Sequence, residues 1–182
     1  TPILMKNKFL ILAGCAMLWA CSQPKPEPGG APAEVKPAPI EIGDAQLIEI
    51  SKQSLNALRD GNIDAYAANF ADNAKFYWNY LDSLVGKPAI VDYWKERRTK
   101  VLDTLIITNE VWIALKANEA PAPTVPAGNW VFSWTLVTAR YNSTGKEMTQ
   151  WIHQTSHFDA SGKVDFIAQY LDRVPIQAAM KK

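Results

Sequence analysis

Four long runs after residue 102 constrain the fold more than any other feature of the chain. Residues 103–116 carry Leu105, Ile107, Val111, Ile113 and Leu115 at mostly alternating positions. Residues 130–141, 146–158 and 164–171 follow in the same manner. Alternation at a period of two marks a sheet with two unlike faces. The connections are a Pro/Ala-rich loop at 118–128 and two turns, Asn142-Ser143-Thr144-Gly145 and Asp159-Ala160-Ser161-Gly162, built from residues that turns favour. Such an order predicts an antiparallel meander.

Helical signals come before the strands. Asp44 can cap a helix to about Arg59, with Leu47, Ile48, Ile50, Leu55 and Leu58 at helical spacing and Gly61 just past its end. Asn62 can cap a short helix over 63–70, which Asp72-Asn73 breaks. Residues 74–80 read as a strand and 82–86 as a loop. Gly86-Lys87-Pro88 opens a third helix, with Pro88 in its first turn, running through Tyr93 and Trp94 to about Lys100. Helices first and a strand meander afterwards make an α+β domain, with the sheet packed on the helices.

The front of the chain belongs to neither pattern. Half of the twelve prolines fall within residues 22–39, a stretch with almost nothing apolar to bury. It reads as a disordered, semi-extended tether. Before it, Lys6 and Lys8 precede about a dozen mostly apolar residues, near the length of a signal-peptide core. Met5 reads as the start, with residues 1–4 upstream of it. The run ends Leu18-Trp19-Ala20-Cys21, which resembles a lipobox: small Ala20 suits a peptidase pocket and the Cys21 thiol can accept a lipid. The expected division is a lipoprotein signal peptide at 1–20, lipidated Cys21 and tether at 21–41, a domain at 42–176 and a tail at 177–182. The expected location is a bacterial cell envelope, with Ser22 after the cysteine pointing to the outer membrane. A plain cleaved signal peptide and an uncleaved anchor helix are the alternatives. The formal charge of +1 gives no footprint for nucleic acid. Both cysteines, Cys15 and Cys21, lie in the front segment, so the folded part holds no disulfide or thiolate metal site.

Three stretches carry a family resemblance. Asp60-Gly61-Asn62-Ile63-Asp64 with Asn69-Phe70-Ala71-Asp72-Asn73-Ala74 is similar to one motif of the SnoaL-like branch of the nuclear transport factor two-like superfamily. Gly86-Lys87-Pro88-Ala89-Ile90 with Tyr93-Trp94 resembles its helix start. His157-Phe158-Asp159 with Gly162-Lys163-Val164 resembles its last hairpin. The resemblance implies a cone-like curved sheet wrapped on the N-terminal helices, over about residues 44–173. One relative in that superfamily is ketosteroid isomerase, whose chemistry needs an Asp base and an acidic oxyanion site. Counted from the shared motifs, the oxyanion Tyr falls on Ser54, the base on Trp78 and the acidic donor near Gln154. None can serve, so that chemistry is not expected here.

The resemblance places the cavity among Tyr66, Phe70, Tyr77, Trp78, Trp94 and Gln154, the expected ligand-binding residues. His153 and His157 are the chain's two histidines and share a strand face. SnoaL-like cyclases use an Asp and a His, and His153 with Asp172 is the one such pair in view. The other reading puts both histidines on an outer or interface face, and counting from the last hairpin places Gln154 inside and His153 outside. Trp130, Phe132, Trp134 and Leu136 alternate along one strand, as a pocket wall or as core or interface. Lys95-Glu96-Arg97-Arg98 reads as a solvated helix face. No cofactor and no metal is expected. The leading functional expectation is a membrane-tethered, non-catalytic domain that binds a small apolar or amphipathic molecule or a partner protein. An isomerase, cyclase or hydro-lyase using His153 is one alternative, and a structural module that forms a homodimer through the sheet is another.

Overall fold

The computed structural model describes residues 36–182. The expected signal peptide, the Cys21 lipidation site and most of the tether lie outside the described residues. The elements run β1 (Ile40–Ile42), α1 (Ala45–Arg59), α2 (Ile63–Tyr66), β2 (Phe70–Trp78), β3 (Ser83–Val85) and α3 (Lys87–Glu96). A π-helical turn (Arg97–Val101) then leads to β4 (Leu102–Ala117), β5 (Gly128–Tyr141), β6 (Glu147–Phe158), β7 (Val164–Tyr170) and α4 (Arg173–Met180). Among the described residues, no helix is long and apolar enough to cross a membrane.

The helix starts follow the capping chemistry. The Asp44 carboxylate accepts from the Gln46 N–H at 2.8 Å, and the Asn62 side chain accepts from the Ala65 N–H at 3.1 Å. The second helix is shorter than the expected 63–70. It ends at Tyr66, and Phe70 already belongs to a strand.

The seven strands form one curved, open sheet in the order β1-β4-β5-β6-β7-β2-β3. Strands β4 to β7 are the expected antiparallel meander. Strand β2 joins it parallel to β7, with β3 hairpinned beyond in what reads from sequence as a loop. On the inner face, α1 and α3 pack on a core that includes Leu58, Ile63, Phe70, Phe76, Ile90 and Ile167. Full burial of a ring such as Phe76 contributes on the order of 2–3 kcal/mol. A smaller core of Leu102, Ala139, Tyr141, Met148 and Ala179 sits under α4.

Two elements lie where none is expected. Strand β1 begins at Ile40, two residues ahead of the expected domain start at Ile42, and pairs Ile40–Ile42 with Ala117–Leu115. Helix α4 occupies the stretch divided between the domain end and the tail, with the Asp172 side chain capping it through the Val174 N–H at 2.8 Å.

Strand β4 changes face midway. Thr108 pairs with Leu136 but Val111 with Trp134, so β4 spends one residue more than its partner, and Asn109 turns into the left-handed region at φ 51°. Leu105 and Ile107 therefore face the helices, whereas Val111, Ile113 and Leu115 face outward. An unbroken alternation reads all five as one face.

Candidate functional site

The inner face of the sheet is set by register. One cross-strand row runs Trp112, Ser133, Gln154, Gln169, Trp78 through five strands. Because side chains alternate, Ile152 and Gln154 share the inner face of β6 and His153 is excluded from it. Inward-facing Val137 and Ala139 are small, and the space they leave is a cavity of about 280 Å³ between β5, β6, α3 and α4. Its walls are Trp78, Trp94, Leu102, Leu105, Val137, Ile152 and Ile176, with Arg97, Asp82 and Arg173 at the mouth. Two smaller hollows continue past Trp94 and Gln169 towards Leu55, Ser54 and Tyr66.

The polar groups inside are uncharged and mostly satisfied by one another. The Trp78 indole N–H donates to Gln169 Oε1 at 3.0 Å, Gln169 Nε2 donates to Gln154 Oε1 at 3.3 Å, and Gln154 Nε2 donates to Ser156 Oγ at 3.3 Å. The Ser54 hydroxyl donates to the Tyr66 carbonyl at 2.7 Å. The Trp94 indole N–H is buried without a hydrogen-bond partner among the described residues. Burial raises the pKa of the Tyr66 hydroxyl far above the usual phenol range, with neighbouring Tyr93 adding to the shift. The positions counted from the isomerase relative, Ser54, Trp78 and Gln154, all meet this space, and none carries a carboxylate.

Of the expected ligand-binding residues, Tyr66, Phe70, Trp78, Trp94 and Gln154 line the cavity or its inner hollows. Tyr77 does not. Between inward-facing Phe76 and Trp78 it points to the opposite face, where its ring lies 5.3 Å from that of Phe166.

That outer face is an aromatic layer. The His153 ring stacks on Trp134 at 4.5 Å and lies 5.7 Å from Tyr170, and its Nδ1–H donates to the Ser133 carbonyl at 2.9 Å. Asp172 is at the α4 cap, so the structure does not bring His153 and Asp172 together. His157 is buried against Trp130, with Nδ1 at 2.6 Å from Asp165 and Nε2 at 3.0 Å from the Ala127 carbonyl. Those contacts hold the 118–128 loop down, and Gly128 at φ 124° leaves no room there for a side chain, since a Cβ would meet His157 Nε2 at 2.8 Å. Trp130, Phe132, Trp134 and Leu136 face outward here, while Val131, Ser133, Thr135 and Val137 face the helices. Under the loop, Ile40, Trp130, Phe132, Phe166 and Tyr170 border an apolar cleft of about 400 Å³.

The charged run at the end of α3 departs from the solvated reading. Lys95 and Glu96 are exposed, but Arg98 is half-buried, with Nε donating to the Leu58 carbonyl at 3.1 Å and Nη2 to that of Arg59 at 2.9 Å. It serves the last carbonyls of α1. Arg97 is half-buried as well and borders the cavity mouth, 5.6 Å from the centre of the Tyr93 ring. Helical spacing accounts for both, since Arg97 and Arg98 follow buried Trp94 by three and four residues and buried Ile90 by seven and eight, on the same face of the helix.

A curved open sheet closed by helices around an inner cavity defines a class of fold, the nuclear transport factor two-like fold, and this domain has it. The solved structures it resembles say the same. An LEH-like epoxide hydrolase from M. tuberculosis superposes with a TM-score of 0.56 at 12% identity, over 74% of this chain and 89% of that one. A protein assigned as a polyketide cyclase from Xanthomonas campestris gives 0.60 at 14% identity, over 75% and 97%. A protein with a ketosteroid isomerase-like fold from Catenulispora acidiphila, solved with trimethylamine, gives 0.55 at 11% identity, over 72% and 92%. No protein-family model matches the sequence, and no curated protein matches it significantly.

Proposed function

We propose that this chain is a lipoprotein of the bacterial cell envelope, held through Cys21 at the outer membrane, whose domain binds a small apolar or amphipathic molecule in the inner cavity without transforming it. One observation carries the binding reading. The cavity is walled by apolar side chains, and its inner polar groups are amides and hydroxyls, with His153 on the other side of the sheet. Neutral, mutually satisfied polar groups orient a ligand but neither take nor give a proton readily near neutral pH. The volume, near the lower end of the roughly 300–1,000 Å³ typical of small-molecule sites, suits a compact ligand.

The tryptophans test this reading, because they divide between the two faces. On titration with 1-octanol, the indole N–H resonances of Trp78 and Trp94 should move and saturate, while those of Trp134 and Trp151 stay in place. Movement confined to Trp134 and Trp151 would transfer the site to the outer face, and no saturable movement would remove the reading. The anchor is tested apart from the cavity. Metabolic labelling with a fatty acid should mark the wild-type chain and not Cys21→Ser; equal labelling of both would end the lipoprotein proposal.

A second reading, self-association through the sheet, has an observation of its own. Trp151 is 52% and Tyr170 51% exposed on the outer aromatic layer, beside the apolar cleft. Large apolar groups clustered in this way mark interaction surfaces.

A further inference from the structure

The charges at the cavity mouth do not balance. Asp82, Arg97 and Arg173 are the charged residues bordering it. Arg173 Nη2 lies 2.6 Å from both carboxylate oxygens of Asp82, and its guanidinium sits over the Tyr80 ring at 4.6 Å. That pair is neutral together. Arg97 is left as the surplus positive charge.

The other arginines show how unusual this is. Arg59 pairs with Asp60, Arg140 lies 3.7 Å from Asp103, and Arg98 gives Nε and Nη2 to the carbonyls of α1, with Nη1 buried and unpartnered among the described residues. Among the described residues Arg97 has no carboxylate within ion-pair distance and no hydrogen bond to a carbonyl. Its surroundings hold it in place all the same. Its guanidinium lies by the Tyr93 ring and beside the buried Tyr141 hydroxyl, whose pKa burial raises and the Arg97 charge pulls part of the way back. A half-buried guanidinium that has the Tyr141 hydroxyl beside it but no carboxylate partner keeps donors for a planar anion such as a carboxylate.

The rest of the cavity tells what the anion is attached to. Leu105, Val137 and Ile152 line the way inward from the mouth, with no second cation beyond it. We propose that the cavity takes a monoanionic amphiphile of the medium-chain carboxylate class, with its carboxylate on Arg97 and its apolar chain directed inward along Leu105, Val137 and Ile152. This rests on the cavity being the ligand site, as proposed above, and adds a charge to the ligand that an apolar pocket alone does not require.

Matched probes separate the two claims. Calorimetric titration of the full chain with octanoate and with 1-octanol compares one chain length with and without the charge. Octanoate should bind at least tenfold more tightly, and Arg97→Gln should bring the two within about twofold. Arg97→Gln should keep the wild-type circular dichroism spectrum, which shows that the variant is folded. Arg97→Lys should retain part of the preference, since it keeps the charge but loses the fork. Equal binding of octanoate and octanol by wild type, or a preference that survives Arg97→Gln, overturns the inference and leaves the apolar cavity standing. If neither probe binds, the cavity reading and the inference fall together.

Discussion

Tyr66 places a phenol at the inner end of the cavity, and that burial has a consequence for stability. In the unfolded chain its hydroxyl ionises near pH 10. In the fold its pKa is raised, chiefly by burial, so the native state keeps its proton where the unfolded state has lost it. Below pH 10 the contribution is whole. Above it the unfolded state binds fewer protons, and stability falls as pH rises, by up to about 1.4 kcal/mol per pH unit. Tyr66→Phe should therefore lose less stability than wild type between pH 9 and pH 11, as read by urea unfolding at each pH. Equal slopes would show that Tyr66 ionises as freely in the fold as out of it. Tyr141 is raised by burial too, so part of the alkaline loss should remain in the variant. At this scale the sequence was readable where alternation alone decides. Gln154 inside and His153 outside follow from counting back from the last hairpin. Tyr77 misled because it lies among aromatics that do face inward. Arg97 misled because four consecutive charged residues read as solvent-facing, although it follows Trp94 by three residues and Ile90 by seven, on the buried face of the helix.

The elements divide by length. Strands β4 to β7 and helices α1 and α3 are long enough for periodicity to accumulate, and all are visible in the pattern of apolar residues. Strand β1 is three residues long and stands beside a proline-rich stretch, so its composition matches the tether. Its partners lie some 75 residues away, beyond any local signal. Helix α4 is eight residues long and carries Pro175 in its first turn, a position that tolerates proline but also looks like an end to structure. The bulge in β4 depends on one extra residue, and β4 has no glycine at that point to mark it. The role of β1 can be measured. It ties the edge of the sheet through Ile40–Ile42, through the Gly43 N–H to the Ala114 carbonyl at 2.9 Å, and through Asn118 to the carbonyls of Ala38 and Pro39. Three such bonds beyond the ladder, with net contributions near 1 kcal/mol each, suggest a total of at least about 3 kcal/mol. A chain beginning at Pro37 should thus melt several degrees above one beginning at Asp44. Equal melting temperatures would mean that β1 adds nothing to the domain.

On the scale of the whole molecule, the sheet separates two surfaces that need not answer to each other. The inner one is enclosed by helices and opens at the mouth of the proposed ligand cavity. The outer one is divided along its strands. Towards one end Thr138 bonds Thr149 and Arg140 approaches Asp103, a polar region; towards the other lie Trp134, His153 and Tyr170 in a stack, with Val111 and Ile113 turned outward by the bulge. Without that extra residue, Val111 and Ile113 would point into the core and the outer face would lose two of its apolar groups. A stable interface needs about 800 Å² from each partner, centred on aromatic anchors that exclude water. Two copies meeting through the aromatic end would place such anchors at the centre and the polar end at the rim. We therefore expect the protein to sediment as a dimer at micromolar concentration, and Trp151→Glu, which sets an unpaired charge in the layer, to shift it to monomer. Because Trp151 faces away from the cavity, the same variant should bind 1-octanol as wild type does. A wild-type monomer at high concentration would refute the dimer, and lost octanol binding in a folded Trp151→Glu would show that the two faces are coupled across the sheet.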